Sequence, residues 1–145
     1  MVRGEKGSGV KIVFCFTGKT FQGPLRECVD DYKKRISKYV PVEVIEGKQL
    51  RLQPREGKHI ILSPEGKLFK SEEFARIIEK HLNAGTKHLY FYIGGPEGLD
   101  TDIMEKADLI LSFSPMTFNH QIIRVMLLEQ VYRAFTIIRG EPYHK

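Results

Sequence analysis

Hydrophobic and polar positions follow two periods along the chain, and these predict strands separated by helices. Apolar runs rich in β-branched and aromatic residues predict buried strands. These runs are Val10–Thr17, Val42–Glu46, His59–Ser63, His88–Ile93 and Asp108–Phe113. Gly18 ends the first run, and Pro64-Glu65-Gly66 forms a turn signal after the third. Gly47–Lys58 has little hydrophobic period and many polar residues, which favours a flexible surface link.

Helical spacing appears between the predicted strands. Pro24 is placed to begin a helix whose core face carries Leu25, Cys28, Val29, Tyr32 and Ile36. Ser71 is a predicted N-cap of the next helix, which ends near Gly85, and a short helix covers Asp100–Ala107. Strands alternating with helices indicate one α/β domain over residues 1–145, with a mainly parallel sheet flanked by helices.

The last helix is predicted between an Asn119 cap and Gly140, and its apolar side chains point in nearly every direction. One face of a sheet cannot cover positions as far apart as Ile123 and Val125. A helix that is apolar all round requires burial all round, so we expect a homodimer with this helix at a two-fold interface. Burial under the chain's own loops is the alternative.

Three loops follow strands and are expected at one edge of the sheet. They are Leu62–Gly66 (LSPEG), Gly94–Gly98 (GGPEG) and Ser112–Asn119 (SFSPMTFN). Ligands of open parallel sheets bind beyond the carboxyl ends of the strands. GGPEG matches neither a Rossmann fingerprint nor a Walker loop, which disfavours dinucleotides and triphosphates, and a plain tight turn is the alternative to a ligand-binding loop.

Composition excludes several classes and indicates one partner. Hydrophobic residues make up 41% and charged residues 28% of 145 residues, which is ordinary globular usage without an apolar run long enough for a membrane span. We therefore expect a cytoplasmic protein. The two cysteines are expected as inert core thiols, and the histidine spacing favours no metal. A net charge of +5 favours a polyanionic partner such as RNA.

Two blocks resemble a known family. IGGPEGL, followed by LSFSPMTFNHQIIRVMLLEQVYRAFTIIRGEPYHK, is similar to the signature of the ribosomal RNA large subunit methyltransferase H family of the SPOUT superfamily. The likeness is close from Ile93 onward and looser upstream, where it includes Thr17–Lys19 (TGK). It implies a SPOUT-type fold with a C-terminal deep trefoil knot. It also implies a homodimer that uses S-adenosyl-L-methionine to methylate N3 of a pseudouridine in helix 69 of 23S rRNA on assembled ribosomes.

The resemblance also assigns site residues. It places cofactor contacts on Leu62, Gly94, Phe113, Ser114, Pro115, Met116, Thr117 and Phe118. On the acceptor side it places His120, Arg124, Tyr143 and His144, with Arg124 orienting the substrate and the tail reaching the partner subunit's site. The identity of the general base stays open, and capping of the dimer is the alternative role of the tail.

The chain departs from the family pattern at two places. Several extra residues precede the first strand, and Gly47–Lys58, a segment that can affect docking on the ribosome, is shorter than is usual for the family. Two other functions therefore stay open. One is a SPOUT methyltransferase that acts on another RNA such as tRNA, and the other is a non-enzymatic RNA-binding ribosome factor.

Overall fold

A five-stranded sheet organises the computed structural model, which describes residues 9–143. The strands are β1 Lys11–Thr17, β2 Val42–Gly47, β3 Lys58–Leu68, β4 His88–Ile93 and β5 Leu109–Ser112. The helices are α1 Pro24–Ile36, α2 Ser71–Asn83, α3 Thr101–Lys106 and α4 Ile122–Arg139. The strand order is β2-β1-β4-β3-β5 and every pairing is parallel, which confirms the predicted α/β class.

The two faces of the sheet are covered unequally. One face packs against α1, α2 and α4 through a large cluster that includes Phe14, Phe91 and Val131. The opposite face carries a smaller cluster in which Tyr92 packs with Ile103 of α3. Alternating side chains of the central strands are therefore buried on both sides, which explains the nearly continuous apolar runs in the sequence.

The turn predicted at Pro64–Gly66 is wrong, because β3 continues to Leu68. Its pairing with β5 is irregular, because Leu62 and Lys67 both pair with Leu111 and the register passes over the residues between them. Proline has no N–H to donate to the ladder, and Gly66 lies so close to β5 that a Cβ on it would be 2.6 Å from the carbonyl oxygen of Ile110. The Pro-Glu-Gly signal therefore marks an irregularity within a strand.

Two predicted helix starts are corrected. The N-cap of α2 is Lys70, whose N–H donates to the Glu73 carboxylate at 2.7 Å, whereas the Ser71 hydroxyl donates to Gln130 on α4. The last helix, α4, begins at Ile122 and not directly after Asn119. The Asn119 side chain still accepts the Gln121 N–H at 2.7 Å, so it satisfies one donor of the first turn. At the other end, Gly140 is left-handed with φ 67°, as an ending glycine requires.

The segment between β2 and β3 contributes to the core, contrary to the prediction of a flexible surface link. Leu50 is 5% exposed, and Leu52 packs beside it against the face that carries Tyr92. The N–H of Gln53 also donates to the Tyr92 hydroxyl at 3.2 Å. Two isolated leucines in a polar stretch produce no detectable period, which is why the pattern did not reveal this contact.

The two cysteines differ in environment. Cys15 on β1 is fully buried, and burial raises the pKa of its thiol to about 12, so it is protonated and inert at neutral pH. Cys28 is exposed, so its predicted place on the core face of α1 is wrong. The helix instead buries Val29 and Ile36. Both thiols are free.

One side of α4 belongs to the core and the other lies at the surface of the chain. Leu127, Leu128 and Val131 are fully buried, whereas Ile122 is 49% exposed. The helix packs on both α1 and α2. Its outer side stays available for a second subunit, and the homodimer remains a prediction.

Within the described residues, none of the helices is both long and apolar enough to cross a membrane.

Candidate active site

A cleft opens at the carboxyl ends of β3, β4 and β5. Its volume is about 570 Å³, within the range of small-molecule sites. The three loops predicted from the sequence form its walls, with contributions from Leu62, Gly94 and Ser114. Parallel strands bring these loops together because their carboxyl ends meet at one edge of the sheet.

Seven of the eight residues expected to contact a cofactor line this cleft. They are Leu62, Gly94, Phe113, Ser114, Met116, Thr117 and Phe118. Pro115 lies in the same loop but does not line the cleft. The structure therefore brings together residues such as Leu62 and Thr117, which are more than fifty positions apart in the chain.

The chemistry of the lining suits an uncharged heteroaromatic group. Apolar walls come from side chains such as Ile93, Leu99 and Leu111, and hydroxyl groups come from Ser63 and Thr117. Among the described lining residues there is no Lys, Arg, Asp or Glu, so the walls offer no cation to a phosphate. Such a surface fits a nucleoside better than a nucleotide.

The loop after β4 is held tight by its glycines. Gly95 and Gly98 form an isolated bridge, and the Gly98 N–H donates to the Gly95 carbonyl at 3.0 Å. Gly98 has φ 82°, a left-handed conformation that favours glycine. A Cβ on Gly94 would lie 2.9 Å from the carbonyl carbon of Gly98, so a side chain at this position would force the turn apart.

Hydrogen bonds between residues close in sequence order the loop after β5. The Ser112 hydroxyl donates to the Ser114 carbonyl at 2.8 Å and accepts the Ser114 N–H at 3.1 Å. The Ser114 hydroxyl in turn accepts the Met116 N–H at 3.0 Å. Serine side chains thus replace a regular backbone pattern, and they hold this wall of the cleft in place.

Of the three predicted acceptor-side residues that the structure describes, His120 alone lines the cleft. It lies just before α4, and its carbonyl accepts a hydrogen bond from Arg124 Nε at 3.2 Å. The residue is half-buried at the cleft wall, where an imidazole can donate or accept a hydrogen bond.

Arg124 is fully buried and lies behind the cleft. Its guanidinium donates to the carbonyls of Thr17 and Gly18, at 2.5 and 2.9 Å, and lies 4.9 Å from the ring centroid of Phe16. Burial lowers the pKa of this guanidinium, and the Glu46 carboxylate 3.9 Å away opposes that change. Within one chain these contacts orient the end of β1, and a direct role toward substrate stays a prediction.

Glu46 is the anion beside Arg124. Burial would raise the pKa of its carboxyl, but hydrogen bonds from Thr20 at 2.5 Å and Arg26 at 2.9 Å outweigh burial and lower it. The group is therefore ionised at neutral pH, and its charge is balanced within the chain.

Tyr143 lies against α4, outside the cleft of its own chain. Its hydroxyl donates to the Glu129 carboxylate at 2.9 Å and lies 3.4 Å from the Tyr32 hydroxyl. The Arg133 guanidinium bonds the same carboxylate at 2.7 Å and lies over the Tyr143 ring at 4.9 Å. Glu129 and Arg133 lie four residues apart on α4, and Tyr143 joins this pair from beyond the end of the helix. His144 lies outside the described residues.

Metal ligands are a further kind of site residue. Within residues 9–143, no group of three or more His, Cys, Asp or Glu side chains is placed to hold a metal ion.

Comparison with known proteins defines the class of this cleft. The family model described as "Predicted SPOUT methyltransferase" matches residues 10–144. A probable methylase family protein from Haemophilus influenzae shares the fold with a TM-score of 0.56 at 14% identity, covering 91% of this chain and 66% of that chain. A probable methyltransferase from Bordetella pertussis gives 0.53 at 10% identity, covering 91% and 98%. The fold is that of SPOUT methyltransferases.

Sequence relatives narrow the class. The ribosomal RNA large subunit methyltransferase H of Coprothermobacter proteolyticus is 45% identical over 94% of this chain and 100% of its own length. The protein of the same name from Bifidobacterium adolescentis is 39% identical over 94% of this chain and all of its own length. The chain therefore belongs to the ribosomal RNA large subunit methyltransferase H family of SPOUT methyltransferases.

Proposed function

We propose that the protein transfers a methyl group from S-adenosyl-L-methionine to N3 of a pseudouridine in helix 69 of 23S rRNA, on assembled ribosomes in the cytoplasm. The observation that carries this proposal is the cleft formed by the three strand-end loops, with seven predicted cofactor positions on its wall. The names of the relatives support large-subunit rRNA as the substrate class. A net charge of +5 supports a polyanionic substrate.

The cleft fits the cofactor in size, and its lining fits the chemistry of the nucleoside part. Its walls offer apolar surface, hydroxyls and backbone groups, which can hold an adenine and a ribose without a cation for phosphate. S-adenosylmethionine supplies an already activated methyl group on a sulfonium. The chain's own task is to align the acceptor nitrogen and remove one proton, which requires positioning more than a nucleophile.

In the proposal, three parts of the protein contribute to the acceptor side of the site. His120 contacts the bound nucleoside from the cleft wall, and Arg124 positions the end of β1 behind it. Tyr143 and His144 complete the cleft of the partner subunit. The position of Tyr143 beside Glu129, away from its own cleft, supports a site made from two chains.

The proposed fold includes a deep trefoil knot at the C-terminal end. Family membership supports it. Knots are rare exceptions to the rule that connections do not thread loops.

Incubation with isolated 70S ribosomes and the cofactor tests the reaction. We expect nucleoside mass spectrometry to recover 3-methylpseudouridine from a fragment containing helix 69, and free tRNA to stay unmodified. A methylated tRNA nucleoside without rRNA methylation would show that the substrate is tRNA and not rRNA. Absence of cofactor binding in calorimetry at millimolar concentration would leave only a non-enzymatic RNA-binding role.

Sedimentation tests the two-chain site. We expect a species of twice the chain mass of 16.7 kDa at micromolar concentration, because the outer side of α4 exposes Ile122 and needs a partner. A species of 16.7 kDa under conditions in which the enzyme is active would contradict the dimer.

A further inference from the structure

Two buried side chains from the start of α4 hold the backbone of the segment that follows β1. The Gln121 amide NH2 donates to the Lys19 carbonyl at 3.0 Å, and its amide oxygen accepts the Phe21 N–H at 2.8 Å. Gln121 is 2% exposed and Arg124 is fully buried. A buried amide that both donates to and accepts from one loop fixes the path of that loop.

Arg124 holds the same segment at its other end. Besides the carbonyls of Thr17 and Gly18, its guanidinium donates to the Thr20 hydroxyl at 3.1 Å. That hydroxyl donates to Glu46 at the end of β2. Every residue from 17 to 21 thus has a backbone or side-chain bond to the start of α4, and we call Thr17–Phe21 the β1 loop.

The β1 loop is rigid in its backbone and yet exposes two side chains. Phe21 is 59% exposed, and Lys19 is also exposed. The Gly18 N–H donates to the Gly47 carbonyl at 2.6 Å, which brings the exposed Lys48 to the same surface. Within residues 9–143, neither of these two ammonium groups forms an ion pair.

This surface adjoins the mouth of the cleft. A Cβ on Gly95 would lie 3.3 Å from the Thr17 Cγ2, so the β1 loop touches the turn that forms one cleft wall. His120, on another wall, is bonded through its carbonyl to Arg124. Met116, which also lines the cleft, is 71% exposed.

We propose that the β1 loop is an RNA-binding platform beside the cleft, in which the Phe21 ring stacks on an unpaired base and Lys19 and Lys48 contact flanking phosphates. Loops and single strands of RNA are bound by this combination, because every base has a face for an aromatic ring and every linkage carries a charge. The inference rests on the proposed function, and it names a contact for the strand that carries the target nucleoside.

The charges favour RNA over a second copy of the chain. A two-fold contact places one patch against the same patch of the partner. Among the described residues, the β1 loop and Lys48 contribute two exposed cations, and the neighbouring Glu46 carboxylate is only 13% exposed and bonded to Arg26. Self-association through the platform would oppose like charges, whereas a phosphate backbone neutralises them.

Substitution of Phe21 tests stacking against simple apolar contact. The probe is a fluorescein-labelled RNA stem-loop with a pseudouridine in its loop, read by anisotropy, together with the KM for 70S ribosomes. We expect Phe21→Leu to raise the Kd and the KM about 10-fold and Phe21→Tyr to keep them within about 2-fold of wild type, because leucine keeps the volume without the stacking face.

Substitution of the lysines tests the phosphate contacts. We expect the double variant Lys19→Gln with Lys48→Gln to lower the slope of log affinity against log salt by roughly 0.7 for each phosphate that is no longer neutralised. Lys87→Gln is the matched control, since it removes an exposed charge at the opposite edge of the sheet and leaves the slope unchanged.

Several results would overturn the platform. They are wild-type affinity in Phe21→Leu, an equal loss of slope in Lys87→Gln, loss of the dimer in the Phe21 variants, or no binding of the stem-loop by the wild-type protein. Failure of the proposed function has a different signature. In that case ribosomes stay unmethylated while stem-loop binding still depends on Phe21.

Discussion

Gly94→Ala is expected to weaken binding of S-adenosylmethionine by about 5- to 150-fold, which corresponds to roughly 1–3 kcal/mol for forcing a methyl group into a packed site. The new Cβ would lie 2.9 Å from the carbonyl carbon of Gly98 and 3.1 Å from the Leu99 Cγ. Both neighbours belong to the turn that forms the cleft wall, so the turn must open for the methyl group to fit. Calorimetric titration with the cofactor measures the effect.

Gly47→Ala is the matched control for this glycine. A Cβ there would meet only the Gln49 carbonyl oxygen at 3.9 Å, an ordinary contact, and we expect unchanged cofactor affinity. Thermal unfolding of both variants separates loss of the site from loss of the fold. If Gly94→Ala stays folded and binds the cofactor as the wild type does, the Gly-Gly turn is not part of the cofactor site.

The sheet was predictable because its central strands are buried on both faces. β1 and β4 therefore appear as uninterrupted apolar runs whose limits the structure reproduces within a residue. The continuation of β3 past Pro64 was not predictable, because it depends on a close approach to Ile110 on another strand. Local signals identify a turn residue but do not reveal a neighbouring strand with which the chain pairs again after the turn.

The position of the cleft was predictable for a topological reason. Loops that follow parallel strands gather at one edge, so the predicted strand ends already identify the candidate site loops. The environment of Arg124 was different. Its carbonyl partners at Thr17 and Gly18 are more than a hundred positions away, and no local pattern links a helix position to a distant loop. The family resemblance assigned Arg124 a role on the acceptor side but did not indicate these partners.

Arg124→Ala is expected to reduce methylation of ribosomes by more than about 100-fold and to destabilise the fold by roughly 3–5 kcal/mol, the usual cost of breaking a buried charged network. The carbonyls of Thr17 and Gly18 would lose their donor in a partly buried place. Cofactor affinity is expected to fall less than turnover, because the cleft wall contains His120 and not Arg124. Urea unfolding, calorimetry and ribosome kinetics measure the three effects.

Arg124→Lys decides between a positioning role and a direct contact with substrate. The planar guanidinium donates to two carbonyls and the Thr20 hydroxyl at once, and a lysine ammonium cannot reproduce this arrangement. A positioning role therefore predicts that Arg124→Lys loses nearly as much stability and turnover as Arg124→Ala. A direct contact with RNA predicts that lysine keeps most of the ribosome affinity, since a phosphate accepts either cation.

Limited proteolysis adds a readout for the β1 loop. If Arg124→Lys shows wild-type turnover and the loop stays protected from cleavage, the hydrogen bonds to Thr17 and Gly18 do not position the loop, and the role of Arg124 lies in its charge alone.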